Sequence, residues 1–198
     1  MERSLHVPDL AAPGGLALRP WRLSDLDLVR EASGDPYIPL VTTVPSPYSG
    51  AEGRAFVERR WERAASGTGY PFVLVDPGGR PVGTVGLWPD GEEAALGYWV
   101  VAAAGLAAVA DWALRELGIP RLVLHIEPWD TASVRVAERV GFRREGMRKE
   151  WPAIGGERRD VLVFALSRDD RETARRTSPA RRSDTSRAPG HDRATGMH

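Results

Sequence analysis

The order in which apolar periodicities follow one another constrains this chain more than any single motif. Three strand-like runs stand in a row at residues 70–76, 81–88 and 94–101, separated by the turns Pro77-Gly78-Gly79-Arg80 and Pro89-Asp90-Gly91. Strands joined by short turns pair antiparallel. A helix over 106–117, a strand over 121–126 and a helix over 131–140 come next, and Gly118 and Gly141 stand where each helix should stop. Residues 142–151 and 158–167 read as a closing antiparallel pair. Ahead of these, residues 16–19 alternate as a short strand stopped by Pro20, and Ser24 precedes a short helix over 25–32. Residues 33–48 carry Pro36, Pro39, Pro45 and Pro47 and read as a loop; Ser49 with Glu52 forms a capping box that opens a helix through Phe56, Val57 and Trp61. The order β-α-α-β-β-β-α-β-α-β-β predicts one α/β (α+β) domain, a mixed central sheet with helices on both faces.

Composition narrows the chemistry. The 198 residues include no cysteine, which excludes disulfides, thiolate metal sites and cysteine nucleophiles. Of the four histidines, His6, His191 and His198 lie near the ends, and His125 sits alone in a strand, so no metal site is expected. No apolar run is long enough to cross a bilayer, and the start of the chain has no signal-peptide pattern. The expected setting is the cytoplasm, with no membrane or nucleic-acid partner. Formal charge is zero, 27 bases against 27 acids, but residues 168–198 hold eight arginines against five acids. That stretch has no Val, Ile, Leu, Phe, Tyr or Trp, and it reads as a disordered basic tail. Residues 1–13 read as a flexible leader, which leaves 14–167 for the domain.

Three motifs in the second half carry a family resemblance. They are Gly97-Tyr98-Trp99-Val100, then 112–122 (WALRELGIPRL), then 133–146 (SVRVAERVGFRREG). In this order they resemble the GNAT acetyltransferases, most closely the branch that acetylates N-terminal residues of ribosomal proteins. Leu18-Arg19-Pro20-Trp21 followed by Ser24-Asp25 agrees. The resemblance implies that the two middle strands splay apart and expose backbone N–H groups. It implies acetyl-CoA as co-substrate, its pantetheine arm lying there as an added strand. An N–H from residues 97–101 would polarise the thioester carbonyl. The acceptor amine, at a protein N-terminus or on a small molecule, attacks only when neutral, so a carboxylate must take its proton. No metal takes part, and a monomer or a homodimer is expected.

Carried onto this chain, the resemblance assigns Ser133 as the hydroxyl donor to the leaving thiolate. Glu92 and Glu93 stand near where many members keep a base, and Glu93 is preferred because it is nearer the strand. Cofactor contacts fall on Trp99, Val100, Val101, Gly105, Leu106, Ala107, Asp130 and Ser133. Asp130 replaces the family's asparagine, so it can accept hydrogen bonds or cap the helix but cannot donate from an amide. Trp21, Tyr37 and Tyr98 are the expected acceptor contacts. His125 reads as structural.

One segment departs from the pattern. The family places Arg/Gln-x-x-Gly-x-Gly/Ala before the helix that grips the CoA pyrophosphate; here Ala102 replaces the basic residue of 102–107 (AAAGLA). Trp99 and Trp112 stand 13 apart, about eight residues, or two helical turns, closer than the family spacing. Losing a charge-assisted contact costs ~1.5–3 kcal/mol. Two readings follow. In the first, a compressed loop binds the pyrophosphate through main chain alone and the chain is an N-acetyltransferase. In the second, it is a non-catalytic ligand-binding or interaction protein that keeps the sheet.

Overall fold

The computed structural model describes residues 7–99, 102–154 and 156–177. Its strands are β1 (Leu10–Ala12), β2 (Leu16–Pro20), β3 (Tyr70–Val75), β4 (Pro81–Asp90), β5 (Glu93–Trp99), β6 (Arg121–Ile126), β7 (Arg143–Ile154) and β8 (Glu157–Ser167). Its helices are α1 (Leu26–Ser33), α2 (Ile38–Val41), α3 (Gly50–Ala65), α4 (Ala103–Arg115), α5 (Thr131–Val140) and α6 (Arg168–Thr177). The strands form one sheet in the order β1-β2-β3-β4-β5-β6-β8-β7. Every neighbouring pair is antiparallel except β5 with β6, where the α4 crossover makes a parallel pair.

Strand alternation divides the core in two. In β3, Tyr70, Phe72 and Leu74 face a cluster that includes Leu106, Val109, Ala110 and Ala113 of α4 and Ala137 and Val140 of α5. Val73 and Val75 face the opposite cluster, with Leu28 and Val29 of α1, Phe56 and Val57 of α3, Trp21 and Trp99. All six residues of β3 are buried, as a strand covered on both faces must be. Thus α4 and α5 cover one face, and α1 and α3 the other.

Local chemistry sets the helix ends. Ser49 Oγ accepts the Glu52 N–H at 3.1 Å and starts α3. Asp130 caps α5 by accepting the Ser133 N–H at 2.9 Å. Gly141 ends α5 at φ 104°, a left-handed turn that favours glycine. Ser24 is not the cap of α1. The residue at that position is Asp25, whose buried carboxylate is held by a two-pronged bond from Arg19, both contacts at 2.8 Å, and by the Arg22 N–H.

Both ends of the domain extend beyond the expected 14–167. Leu10–Ala12 pairs with β2, and Val7 is buried. The expectation of disorder from Arg168 fails for its first ten residues, which form α6. Polar anchoring replaces the missing apolar residues. Arg168 donates to the Leu114 carbonyl at 3.1 and 2.8 Å, and Arg171 binds Asp111 at 2.7 Å and the Val140 carbonyl at 2.6 Å. No helix among the described residues is long and apolar enough to cross a membrane.

Candidate active site

The parallel ladder between β5 and β6 is short. It pairs Glu93 with Arg121 and ends where Leu96 meets Leu124. Both strands continue, β5 paired with β4 to Trp99 and β6 paired with β8 to Ile126. Beyond Leu96 and Leu124 the two therefore part without losing their outer partners. The backbone groups that face across the gap have no strand partner there and must be satisfied by something else.

A cavity of about 570 Å³ opens at this parting. Its floor is one face of the sheet, with Thr84, Gly86 and Trp88 of β4, Gly97 and Trp99 of β5, His125 of β6 and Val161 of β8. The Trp88 indole lies across the two glycines. A Cβ on Gly86 would sit 2.1 Å from its ring, and one on Gly97 would sit 3.1 Å away. Glycine is required at Gly86 for the ring to lie there.

Acidic groups gather on one wall. Glu127, just past β6, is buried at 4% exposure. It accepts a close hydrogen bond from the Tyr37 hydroxyl and pairs with Arg159 at 3.3 Å. Burial, then the bond to Glu127, raises the Tyr37 pKa, so this hydroxyl stays protonated and donating. The Tyr37 ring also meets Trp129 edge-on at 4.8 Å. Asp130 lines the same wall.

A second wall is basic and comes from α3. Arg60 is 8% exposed, donates to Thr43 Oγ1 at 3.0 Å and lies 4.2 Å over the Phe56 ring. Burial, with Arg63 and Arg59 adding repulsion, pushes its pKa down to about 10. Arg63 lines the cavity one helical turn away. His125, also in the lining, stacks on Trp151 at 4.3 Å, and its buried Nε2 has no hydrogen-bond partner among the described residues. Burial, with Arg148 adding repulsion, holds this imidazole below its ordinary pKa.

Not all the residues read from the sequence meet here. Tyr37, Tyr98, Trp99 and Asp130 line the cavity. The Tyr98 hydroxyl donates to the Ser133 carbonyl at 3.1 Å and so ties β5 to α5 across the gap; burial raises its pKa to about 12. Ser133, in the first turn of α5, is not one of the residues that line the cavity; its backbone N–H and carbonyl bind Asp130 and Tyr98, which do. Trp21 is a correction. Its ring is 3% exposed and packs edge-on against Phe56 at 5.3 Å, so it supports the wall from behind.

Glu93 is a second correction. It sits at the paired end of the β5–β6 ladder, bound to Arg121, and the structure does not bring it to the cavity. Glu127, Arg60 and His125 are among the cavity residues that the sequence reading did not select as functional. The buried position of Glu127 depends on Tyr37, 90 residues earlier.

At the compressed crossover, α4 begins at Ala103, four positions after β5 ends. Val100 and Val101 lie outside the described residues. Gly105 and Leu106 donate their N–H groups to the Ala102 carbonyl at 2.9 and 3.4 Å. Helix geometry therefore puts the open amides of α4 at Ala103 and Ala104. The Leu106 side chain is fully buried in the core, and Ala107 packs against the same cluster.

Residues 16–143 match the family described as Acetyltransferase (GNAT) domain. The chain belongs to the GNAT acetyltransferases. Among curated relatives, the uncharacterized N-acetyltransferase p20 of Bacillus licheniformis is 22% identical over 163 residues, 76% of this chain and 92% of that protein. The structure of Mycobacterium smegmatis RimJ in complex with CoA-disulfide superimposes with a TM-score of 0.67 at 24% identity, covering 83% of this chain and 88% of that one. A ribosomal-protein-S5-alanine acetyltransferase from Vibrio fischeri gives a TM-score of 0.69 at 17% identity, over 81% of this chain and 97% of that one. In this GNAT chain β5 and β6 part beside an open cavity.

Proposed function

We propose that this GNAT protein moves an acetyl group from acetyl-CoA to a primary amine by direct attack within a ternary complex. The observation that carries the reading is the parting of β5 from β6 beside a buried carboxylate, Glu127. The thioester arm takes the unpaired edge of β5 as an added strand would, with its phosphates toward the open amides of α4. The amine enters from the face covered by α1 and α3. Its nitrogen bonds to the thioester carbon, the C–S bond breaks, and the amine proton passes to Glu127, directly or through a water. Ser133 donates to the leaving thiolate. The resemblance to ribosomal-protein acetyltransferases favours a protein N-terminal amine as acceptor.

Calorimetry with acetyl-CoA, followed by thiol release with an amine panel, tests this reading. Micromolar binding and acceptor-dependent thiol release are expected. Absence of binding at millimolar acetyl-CoA would return the chain to a non-catalytic role. A further expected result concerns Ser133. Ser133→Ala lowers kcat by about tenfold or more, the scale of one lost charge-assisted hydrogen bond, and leaves the acetyl-CoA Kd unchanged. If Tyr98→Phe lowers kcat and Ser133→Ala does not, the donor is the tyrosine.

A further inference from the structure

The two walls of the cavity differ in how their charges are balanced. On the acidic wall both carboxylates are engaged. Glu127 is held by Arg159 and Tyr37, and Asp130 caps α5. On the other wall, among the described residues, no ion pair includes Arg60 or Arg63. Arg60 is the exceptional group of the two. A guanidinium has five donors in a rigid fork, and this one is 92% withdrawn from solvent with Thr43 as its hydrogen-bond acceptor and Phe56 over one face. A buried cation without a counter-charge is costly, and a protein gains nothing in stability from keeping one. Arg60 lines the cavity, and a guanidinium carries more N–H donors than the one bond to Thr43 uses, in a planar fork that suits a carboxylate.

The anion that Arg60 awaits is not a phosphate of acetyl-CoA. In the proposed arrangement those phosphates lie at the start of α4, and α4 packs on the opposite face of the sheet from α3. The partner must come with the acceptor. We propose that the acceptor is an amine whose own molecule carries a carboxylate, the amine held toward Glu127 and the carboxylate bound by Arg60, with Arg63 adding positive potential. This rests on the transferase reading above and names its substrate class. The carboxylate can belong to a small amino acid or to an acidic side chain near a peptide N-terminus.

Matched pairs that differ only in that group test the proposal. With acetyl-CoA saturating, kcat/KM is measured for β-alanine against β-alaninamide and for Ser-Asp-Phe-amide against Ser-Asn-Phe-amide. At least one acid is expected to exceed its amide by tenfold or more, chiefly through KM, and the arm that shows it identifies the source of the carboxylate. Arg60→Met should bring that ratio close to one, and Arg60→Lys should restore part of it, because the charge returns without the fork. Acetyl-CoA affinity measured on both variants confirms that they fold. Transfer to both members of each pair at equal kcat/KM overturns the acidic acceptor and leaves the transferase intact. A preference for acid that persists in Arg60→Met overturns the role of Arg60. Acetyl-CoA binding with no transfer to any acceptor overturns both readings together.

Discussion

Glu127→Gln is expected to lower kcat for acetyl transfer by about 10²–10⁴-fold, the usual contribution of a positioned general base. The amide keeps the shape of the side chain and can still accept the Tyr37 hydroxyl, but it cannot take a proton from the incoming amine. Little else should change. Arg159 loses its charge partner yet is 37% exposed and still contacts Glu157, so water and that second carboxylate satisfy it. Thermal unfolding should stay close to the parent, and acetyl-CoA should bind as before. Steady-state kinetics read the split. A fall in kcat supports proton transfer to Glu127. A rise in acceptor KM with kcat unchanged would mean that Glu127 only holds the ammonium, and the base would have to be sought elsewhere on the cavity wall.

Phe56→Ala should have the largest effect on stability. Phe56 is 1% exposed, meets Trp21 edge-on at 5.3 Å and lies beneath the Arg60 guanidinium at 4.2 Å. Truncating a buried phenylalanine costs ~3–5 kcal/mol through lost transfer energy and the cavity left behind. For a chain of this length that corresponds to a fall in Tm of roughly 6–20 °C, large against a total stability of ~5–15 kcal/mol. Thermal unfolding followed by circular dichroism measures it. Phe56→Leu, which keeps most of the volume, should recover most of the loss. A Tm within two degrees of the parent for Phe56→Ala would mean that this second core cluster is far less tightly packed than its burial indicates.

Most of the fold was legible because it is encoded locally. Ser49 with Glu52, Gly141 after an amphipathic run, and the turn after β3 each act over a few residues and stand where the periodicity placed them, whereas β4 runs on through Pro89 and Asp90 and turns only at Gly91-Glu92. Connectivity gave the antiparallel run β3-β4-β5 and the crossover through α4, but not the last step, in which β8 rather than β7 pairs with β6. What the sequence hid depends on distant partners. In α6 there is no apolar face to read. Arg168 and Arg171 hold it through carbonyls and a carboxylate 31 to 60 positions away. The three residues of β1 are too few for a period and gain their order from pairing with β2.

The site divides in the same way. Tyr37, Tyr98 and Asp130, which line the cavity, carried a signal in the sequence, a family pattern or an aromatic in the proline-rich segment. Glu93 was chosen for its nearness in sequence to the strand, but a strand has two ends, and the register puts Glu93 at the closed one. Glu127 stands one residue beyond β6 and looks like any loop carboxylate until Tyr37 is brought to it. Arg60 belongs to a run of charged residues in α3, and nothing in its spacing says which arginine turns inward. Only the packing of Phe56 and Thr43 around it makes that visible.

The anchoring of α6 reaches further than its own order. Arg168 and Arg171 grip α4 at Leu114 and Asp111, and Arg171 also grips the last residue of α5, Val140. These are the rear ends of the two helices whose front ends border the gap between β5 and β6. Removing α6 would therefore release the backs of α4 and α5 at once, so the order of this short polar helix and the placing of the two helices beside the gap stand or fall together.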